Sequence, residues 1–331
     1  MNGVAFEHGA RAATRFLDTH RLSARTPFQT GGWWRAWIRE AADAEGTTPV
    51  LVHVTRTDRP TLVVGLQLHR DAGTALLRPL SWPWADYNEV AAVDDASSTA
   101  PEPDIAGLAD AIDRCQREFG ARLELSNLLL GGPLLRAVSE LGATPQPSDT
   151  VFRLDLTDPD IVRRVSERRD MRRKRRRIER LGTLRLTCAD TAERVAARLP
   201  DFIELHTRQW GERPDTVAPF DGGVVDRTYA AIAAEPSSTA RIHELWLDDT
   251  LLAGWFGFLH ERTYYAYRAA YDPGHARDSP GHLLTAAMVG ELASRGTDTF
   301  DLTRGAYPYK LELPSSQEPT MTVGREQPCP V

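Results

Sequence analysis

Residues 251–313 read LLAGWFGFLHERTYYAYRAAYDPGHARDSPGHLLTAAMVGELASRGTDTFDLTRGAYPYKLEL, and the order of patterns inside that stretch decides the fold. Leu251 to Leu259 is apolar and aromatic, Thr263 to Ala270 is rich in aromatics, and His260 to Arg262 joins them. This is the signature of two paired strands. Tyr271-Asp272-Pro273-Gly274 has loop composition. After it, Leu283, Leu284, Met288 and Leu292 recur at helical spacing until Gly296, where the helix should stop. A further strand, Thr299 to Leu302, leads into Arg304-Gly305 and a tail that carries Tyr309 and Lys310.

The helix is expected to begin at Ser279-Pro280-Gly281-His282, with Ser279 as N-cap, Pro280 in the first helical position and Gly281 admitting a close backbone approach. Its unpaired N–H groups and positive dipole end suit a phosphate or a developing anion. Lys310 stands out because the chain has only one other lysine, Lys174, against 38 arginines. A titratable ammonium at a site and a solvated lysine behind a strand are both open readings.

Ser279-Pro280-Gly281 before a helix, Phe300-Asp301-Leu302 with Arg304-Gly305, and Tyr309-Lys310 resemble the C-terminal half of the CelD/BcsL-type acetyltransferases of the GNAT superfamily. That group is similar in fold to the FemABX aminoacyl transferases. The resemblance extends to Phe202, His206 and Trp210, and to Thr26-Pro27-Phe28-Gln29 with Trp33 and Trp37, so it covers most of the chain. It implies an α/β (α+β) fold of tandem GNAT-like domains, each a mixed central sheet flanked by helices. The expected division is 1–156, on the acceptor side, and 157–331, for the acyl donor and catalysis. It also implies a donor in a split between two central strands. Donor contacts then fall at Tyr267, Arg268 and Ala269 and at Arg277, Ser279, Gly281 and His282. Lys310 would stabilise charge at the reacting carbonyl, while Asp301, Tyr267 and Tyr309 position or relay protons.

The rest of the chain agrees with a two-domain enzyme. Its 331 residues suit two cores. No apolar run is long enough to cross a bilayer and no signal segment is read at the start, so a cytoplasmic enzyme without membrane partners is expected. Cys115, Cys188 and Cys329 are too far apart for a disulfide framework or a metal knuckle, and no metal is expected. Met1 to Ala24 reads as a helix, and Gly32 to Ala42 as another whose Trp33 and Trp37 are core residues. Strands are expected at Val50 to Thr55, Thr61 to Leu68 and Ala75 to Leu80, and residues 94–104 read as a linker. The loop from Ser81 to Asn88 holds Trp82, Trp84, Asp86 and Tyr87. Such a loop either walls an acceptor pocket, with His206 as a further acceptor contact, or plugs an interface.

Asp158 to Leu181 reads as one long helix. Between Ile161 and Arg180 eleven basic and three acidic residues give +8 in a chain of −6, which leaves −14 elsewhere. Arg172, Arg173, Lys174, Arg175, Arg176 and Arg177 form an unbroken basic hexad. It can be a solvated face, a gatherer of the phosphates of acyl-coenzyme A, or a tRNA-backbone site. No aromatic lies in the segment, so base stacking is not indicated. One departure bears on the donor. GNAT pyrophosphate loops resemble Arg or Gln, two residues, Gly, one residue, Gly or Ala, whereas here Asp278 precedes Gly281 by three and Leu283 replaces the second small residue. An Asp there repels a pyrophosphate. The expected function is an N-acyltransferase joining an acyl group from acyl-CoA to an amine of a small molecule or peptide. A FemABX-like aminoacyl-tRNA-dependent transferase is the alternative, and a non-catalytic nucleic-acid-binding module a third reading.

Overall fold

The computed structural model describes residues 3–42, 46–56, 59–71, 73–94, 103–210, 220 and 223–326. Cys329, most of the expected linker and most of the loop after Trp210 lie outside them. In chain order the elements are β1 (Gly3–His8), α1 (Ala10–Thr19), β2 (Leu22–Ala24), a 3-10 turn (Pro27–Gln29), α2 (Gly31–Glu40), β3 (Thr47–Arg56), β4 (Arg59–Asp71), β5 (Thr74–Pro79), β6 (Ala91–Val93), α3 (Ile105–Phe119), β7 (Arg122–Leu128) and α4 (Pro133–Glu140). There follow β8 (Gln146–Asp155), α5 (Pro159–Ser166), α6 (Arg169–Ile178), β9 (Leu184–Ala189), α7 (Ala192–Trp210), α8 (Val224–Ala234), β10 (Ala240–Leu247), β11 (Thr250–His260), β12 (Thr263–Tyr271), a 3-10 turn (Pro273–Asp278), α9 (Pro280–Ser294), β13 (Thr299–Arg304), α10 (Pro308–Leu311) and β14 (Ser316–Arg325).

The chain forms two compact units, residues 1–150 with 318–331, and residues 151–317. The division falls at 150/151, and the last strand returns to the first unit, pairing antiparallel with β7. Both units repeat one topology: strand, two helices, three antiparallel strands, helix, parallel strand. In the first it runs β1-α1-α2-β3-β4-β5-α3-β7, in the second β9-α7-α8-β10-β11-β12-α9-β13. The last two strands of each run are parallel. The molecule is therefore an α/β protein of tandem GNAT-like units, each a mixed sheet with helices packed against it.

Three expected elements differ. The first 24 residues are not one helix. Val4 and Phe6 alternate onto the core and β1 pairs antiparallel with β3; Gly9, at φ +90°, then turns the chain into α1. The helix expected over 158–181 is broken at Glu167 and Arg168, whose dihedrals are not helical. In one continuous helix Val165 would point roughly 120° away from Met171 and Ile178. The break lets all three enter the second core. Ser279 does not cap α9 with its side chain and sits in the left-handed region at φ 51°.

The second unit's core explains the apolar run that opened the reading. β11 is buried through its middle on both faces, as a central strand with helices on each side must be. α7 comes so close that a Cβ on Gly254 would stand 2.8 Å from the ring of Phe202. On the other face α9 buries Leu283, Leu284, Met288, Val289 and Leu292. It is apolar around more of its girth than one stripe because α5 and α6 cover its outer side.

Candidate active site

The split is built by a parallel pair that stops early. β12 and β13 match only at Thr263–Thr299, Tyr264–Phe300 and Tyr265–Asp301. Beyond that β13 bulges between Asp301 and Arg304 toward β8, and β12 carries its own bulge at Tyr267 opposite Phe256 and Gly257. Successive strand residues turn their backbone groups to opposite edges. The Asp272 N–H donates toward β11, to the Leu252 carbonyl, so Tyr271 N–H faces the other edge. There it donates to Gln209 Oε1 at 2.8 Å, while Trp210 Nε1 donates to the Ala269 carbonyl at 3.4 Å. The last turn of α7 thus occupies the strand edge that the split exposes. Neither Gln209 nor the edge role of Trp210 was legible in the sequence, because both depend on where a distant helix ends.

The start of α9 lies under the basic helix. Lys174 Nζ donates to Ser279 Oγ at 2.8 Å, and Arg177 donates to the Arg277 carbonyl at 2.8 Å and to Asp278 Oδ1 at 2.5 Å. Asp278, whose carboxylate would repel a phosphate, is neutralised by Arg177. Gly281 leaves open space, since a Cβ there would meet nothing nearer than Tyr271 Cδ1 at 3.9 Å. Thr285 donates to the Gly281 carbonyl at 2.9 Å and receives Trp255 Nε1 at 3.2 Å, which ties the helix start to β11. His282 Nε2 stands 3.7 Å from Glu312 Oε2. Burial holds its imidazole below the ordinary range, Lys174 and Arg168 push the same way, and Glu312 opposes them. The ring of Tyr309 lies 6.4 Å from that of His282.

Lys310 and Asp301 meet at the end of β13. Lys310 is 2% exposed and donates to the carbonyls of Thr303 at 3.2 Å and Arg304 at 2.6 Å. Asp301 accepts Arg153 Nε at 2.8 Å and the Thr303 N–H at 2.7 Å, with Thr303 at φ 58°. Both side chains therefore brace the turn that carries β13 away from β12. Phe300 and Leu302 pack on the α9 face, so Asp301 alternates to the opposite one.

Tyr267 belongs to a second cluster, on the side of α7 and α8. Its hydroxyl lies 2.6 Å from that of Tyr229 and accepts Arg268 Nη2 at 3.0 Å, and the guanidinium lies 3.9 Å over the Tyr267 ring. His206 is 4% exposed among Phe202, Trp210 and Phe220, and its Nδ1 has no partner. Burial, with Arg268 adding to it, pushes its pKa down to about 3, so the ring is neutral at pH 7. The four expected catalytic residues thus fall in three places, Lys310 with Asp301 at the β13 turn, Tyr309 beside His282, and Tyr267 with Tyr229, which was absent from the sequence reading. Cys115 and Cys188 are pushed up to about 12 and 11 by burial, so neither is a thiolate nucleophile at neutral pH.

In the first unit the equivalent split is filled. β5 and β7 pair only at Leu76–Arg122 and Leu77–Leu123. Asn88 then forms a parallel bridge to Leu128, whose other edge pairs with Met321 of β14. Asn127 Nδ2 donates to the Ala85 carbonyl at 3.1 Å, and Asn88 Nδ2 to the Ser126 carbonyl at 2.9 Å. Asp86 and Tyr87, expected to wall an acceptor pocket, are 1% and 0% exposed within this plug, while Trp82 and Trp84 are half-buried. Trp82 lies under Arg78 at 4.1 Å. His206, the further expected acceptor contact, lies in the second unit's aromatic cluster. Among the described residues no group of three or more His, Cys, Asp or Glu could hold a metal ion. None of their helices is long and apolar enough to cross a membrane.

A mixed sheet whose parallel pair splays, with a helix start aimed at the opening, defines an acyltransferase-type fold. Residues 165–311, less than half of the chain, match the family described as Acetyltransferase (GNAT) domain. The crystal structure of FemX is similar over 95% of both chains, with TM-score 0.62 and 12% identity. The C-terminal domain of a putative lysylphosphatidylglycerol synthetase from Agrobacterium fabrum matches 88% of this chain and 86% of its own, with TM-score 0.57 and 12% identity. L-PGS from Bacillus licheniformis covers 94% of this chain and 90% of its own, with TM-score 0.54 and 10% identity. These likenesses show the fold, including its relation to FemX. No curated protein sequence matches the chain.

Proposed function

We propose that the protein is an N-acyltransferase whose acyl donor carries phosphate groups, and that the second unit holds that donor. The observation that supports this reading is the seating of Lys174 and Arg177 on the residues that open α9. A helix start already favours an anion, and two cations from α6 add charge that offsets Asp278. Arg277, Ser279, Gly281 and His282 complete the phosphate seat. The donor's acyl arm lies in the split along Ala266 to Ala270. The acceptor is an amine of a small molecule or peptide.

The reaction is direct transfer. The deprotonated amine attacks the donor carbonyl, a C–N bond forms, the bond to the leaving sulfur or oxygen breaks, and the amine's proton goes to the leaving group. Lys310 and Asp301 hold the β13 turn that keeps the split open. Buried Tyr267 and Tyr229, with half-buried Arg268, border it as a proton-relaying group. Acyl-CoA and aminoacyl-tRNA share the required chemistry, an activated carbonyl with phosphates beyond it. Calorimetric titration with coenzyme A, alongside Lys174→Ala, tests the seat. Binding that the substitution weakens about tenfold, the size of one charge-assisted contact, supports the proposal. Tight binding indifferent to Lys174 and Arg177 refutes it.

A further inference from the structure

Among the described residues only four large hydrophobic side chains are more than half exposed, and two of them, Tyr307 at 51% and Leu311 at 58%, belong to the single turn of α10. Tyr307 is exposed and yet held. A Cβ on Gly305 would stand 2.7 Å from its Cε2, so the ring lies directly on that backbone. Lys310 Nζ is 5.3 Å from the centroid of the same ring and is itself fixed by the carbonyls of Thr303 and Arg304. The ring of Tyr309 follows at 6.3 Å, its plane within 18° of the first, and the ring of His282, in the first turn of α9, lies 6.4 Å from that of Tyr309. A ring pinned in this way has already lost its rotamer freedom, so a flat partner can settle on it at little further cost in entropy.

We infer that Tyr307, backed by Tyr309, is the ledge on which the donor stacks an adenine ring. The inference rests on the reading above and names a further binding residue for its donor. Position supports it. Lys310 ties the ledge to the β13 end of the split, while Tyr309 reaches the ring of His282 at the phosphate seat. The ledge is therefore where a base lies when a phosphate one sugar away sits on the α9 start. The chemistry agrees, because the face of a purine and the face of a tyrosine attract without any hydrogen-bond partner. Coenzyme A carries its adenine one sugar from a phosphate, and so does an RNA that ends in adenosine, so the ring is common to both donors. Covering Lys310 would occupy one face of Tyr307. That role does not account for the near-parallel Tyr309, or for Leu311 left in water in the same turn.

Titration calorimetry of the full chain with coenzyme A, and with 4′-phosphopantetheine, which ends at a phosphate and has no adenine, separates the ledge from the seat. Tyr307→Leu keeps an apolar cover over Lys310 and removes the ring, so its melting temperature should stay close to the parent's. It should weaken coenzyme A about tenfold, within the range that alanine substitution gives for one stacked base, and leave phosphopantetheine unchanged. Tyr307→Phe and Tyr307→Trp should bind coenzyme A as the parent does, since the face is used and not the hydroxyl. An RNA hairpin ending in an unpaired adenosine is the second arm. A loss on Tyr307→Leu confined to the hairpin assigns the adenine to RNA, and one confined to coenzyme A assigns it there. The inference is overturned by equal loss of coenzyme A and phosphopantetheine, by loss of coenzyme A in Tyr307→Phe, or by a parent that binds neither adenine probe. Sedimentation that finds a dimer of the parent abolished by Tyr307→Leu would overturn it too, making the ledge a contact between copies. Lys174→Ala separates the two proposals. Coenzyme A weakened by Lys174→Ala and indifferent to Tyr307→Leu sinks only the ledge, and the reverse pattern sinks only the phosphate seat.

Discussion

At the scale of single residues, Lys310 and the buried histidines show different uses of buried polar groups. Lys310→Met removes the partner of two carbonyls at the β13 turn, and an orphaned buried acceptor costs about 1–3 kcal/mol. Urea unfolding should register that loss, with turnover falling as the split relaxes; an unchanged midpoint would show the carbonyls satisfied without the ammonium. His206 and His243 are pushed down by burial to about 3 and about 4. The unfolded chain binds their protons near pH 6.5 and the folded chain does not. Stability should therefore fall as pH drops below 6.5, by about 1.4 kcal/mol per pH unit for each histidine, until the folded pKa values are reached. Urea midpoints between pH 7 and 5 for the parent and for His243→Gln read this slope, which should lose one proton's share in the variant. His206→Phe removes an unpaired buried nitrogen from an aromatic cluster, so its melting temperature should hold or rise. A simultaneous loss of turnover would give that nitrogen a role in the reaction.

At the scale of elements, periodic apolar runs were legible and junctions were not. The strand, turn, strand, helix, strand order over 251–313 is readable because β11 and α9 bury continuous apolar surface. The break between α5 and α6 was hidden, since the charges of 161–180 are uniform and only Val165, Met171 and Ile178 report the change of phase. The sequence also marked Asp278 as a misfit without showing its remedy. Arg177 lies 101 positions away, and only the folded helix brings it to that carboxylate. This pairing makes a double-mutant prediction. Arg177→Ala leaves Asp278 facing the donor's phosphates and should weaken coenzyme A binding about tenfold. Adding Asp278→Asn should recover most of that loss. Titration calorimetry that finds the two substitutions additive would mean that Arg177 acts on the phosphate directly and not through Asp278.

At the scale of the whole molecule, one topology is used twice and filled differently. In each unit a parallel pair closes for two or three residues and then parts. In the first unit the chain between β5 and β6 returns to the gap, with Asn88 bridging Leu128 and Asn127 holding Ala85. Ser81, Asp86 and Tyr87 are buried there, so no open strand edge is left for a ligand's arm. In the second unit, among the described residues, the corresponding edge is met by the side chains of Gln209 and Trp210, which can turn aside without unfolding a strand. The tandem fold should accordingly bind one donor per chain. Coenzyme A titration should give a stoichiometry near one, and Gln209→Ala, which frees Tyr271 N–H, should tighten binding or leave it unchanged. Asn127→Ala should lower the melting temperature without adding a second site, because its amide ties the plug down. Two equivalent sites per chain, or a second site created by loosening the plug, would mean that the first unit's gap is a closed door and not a filled wall.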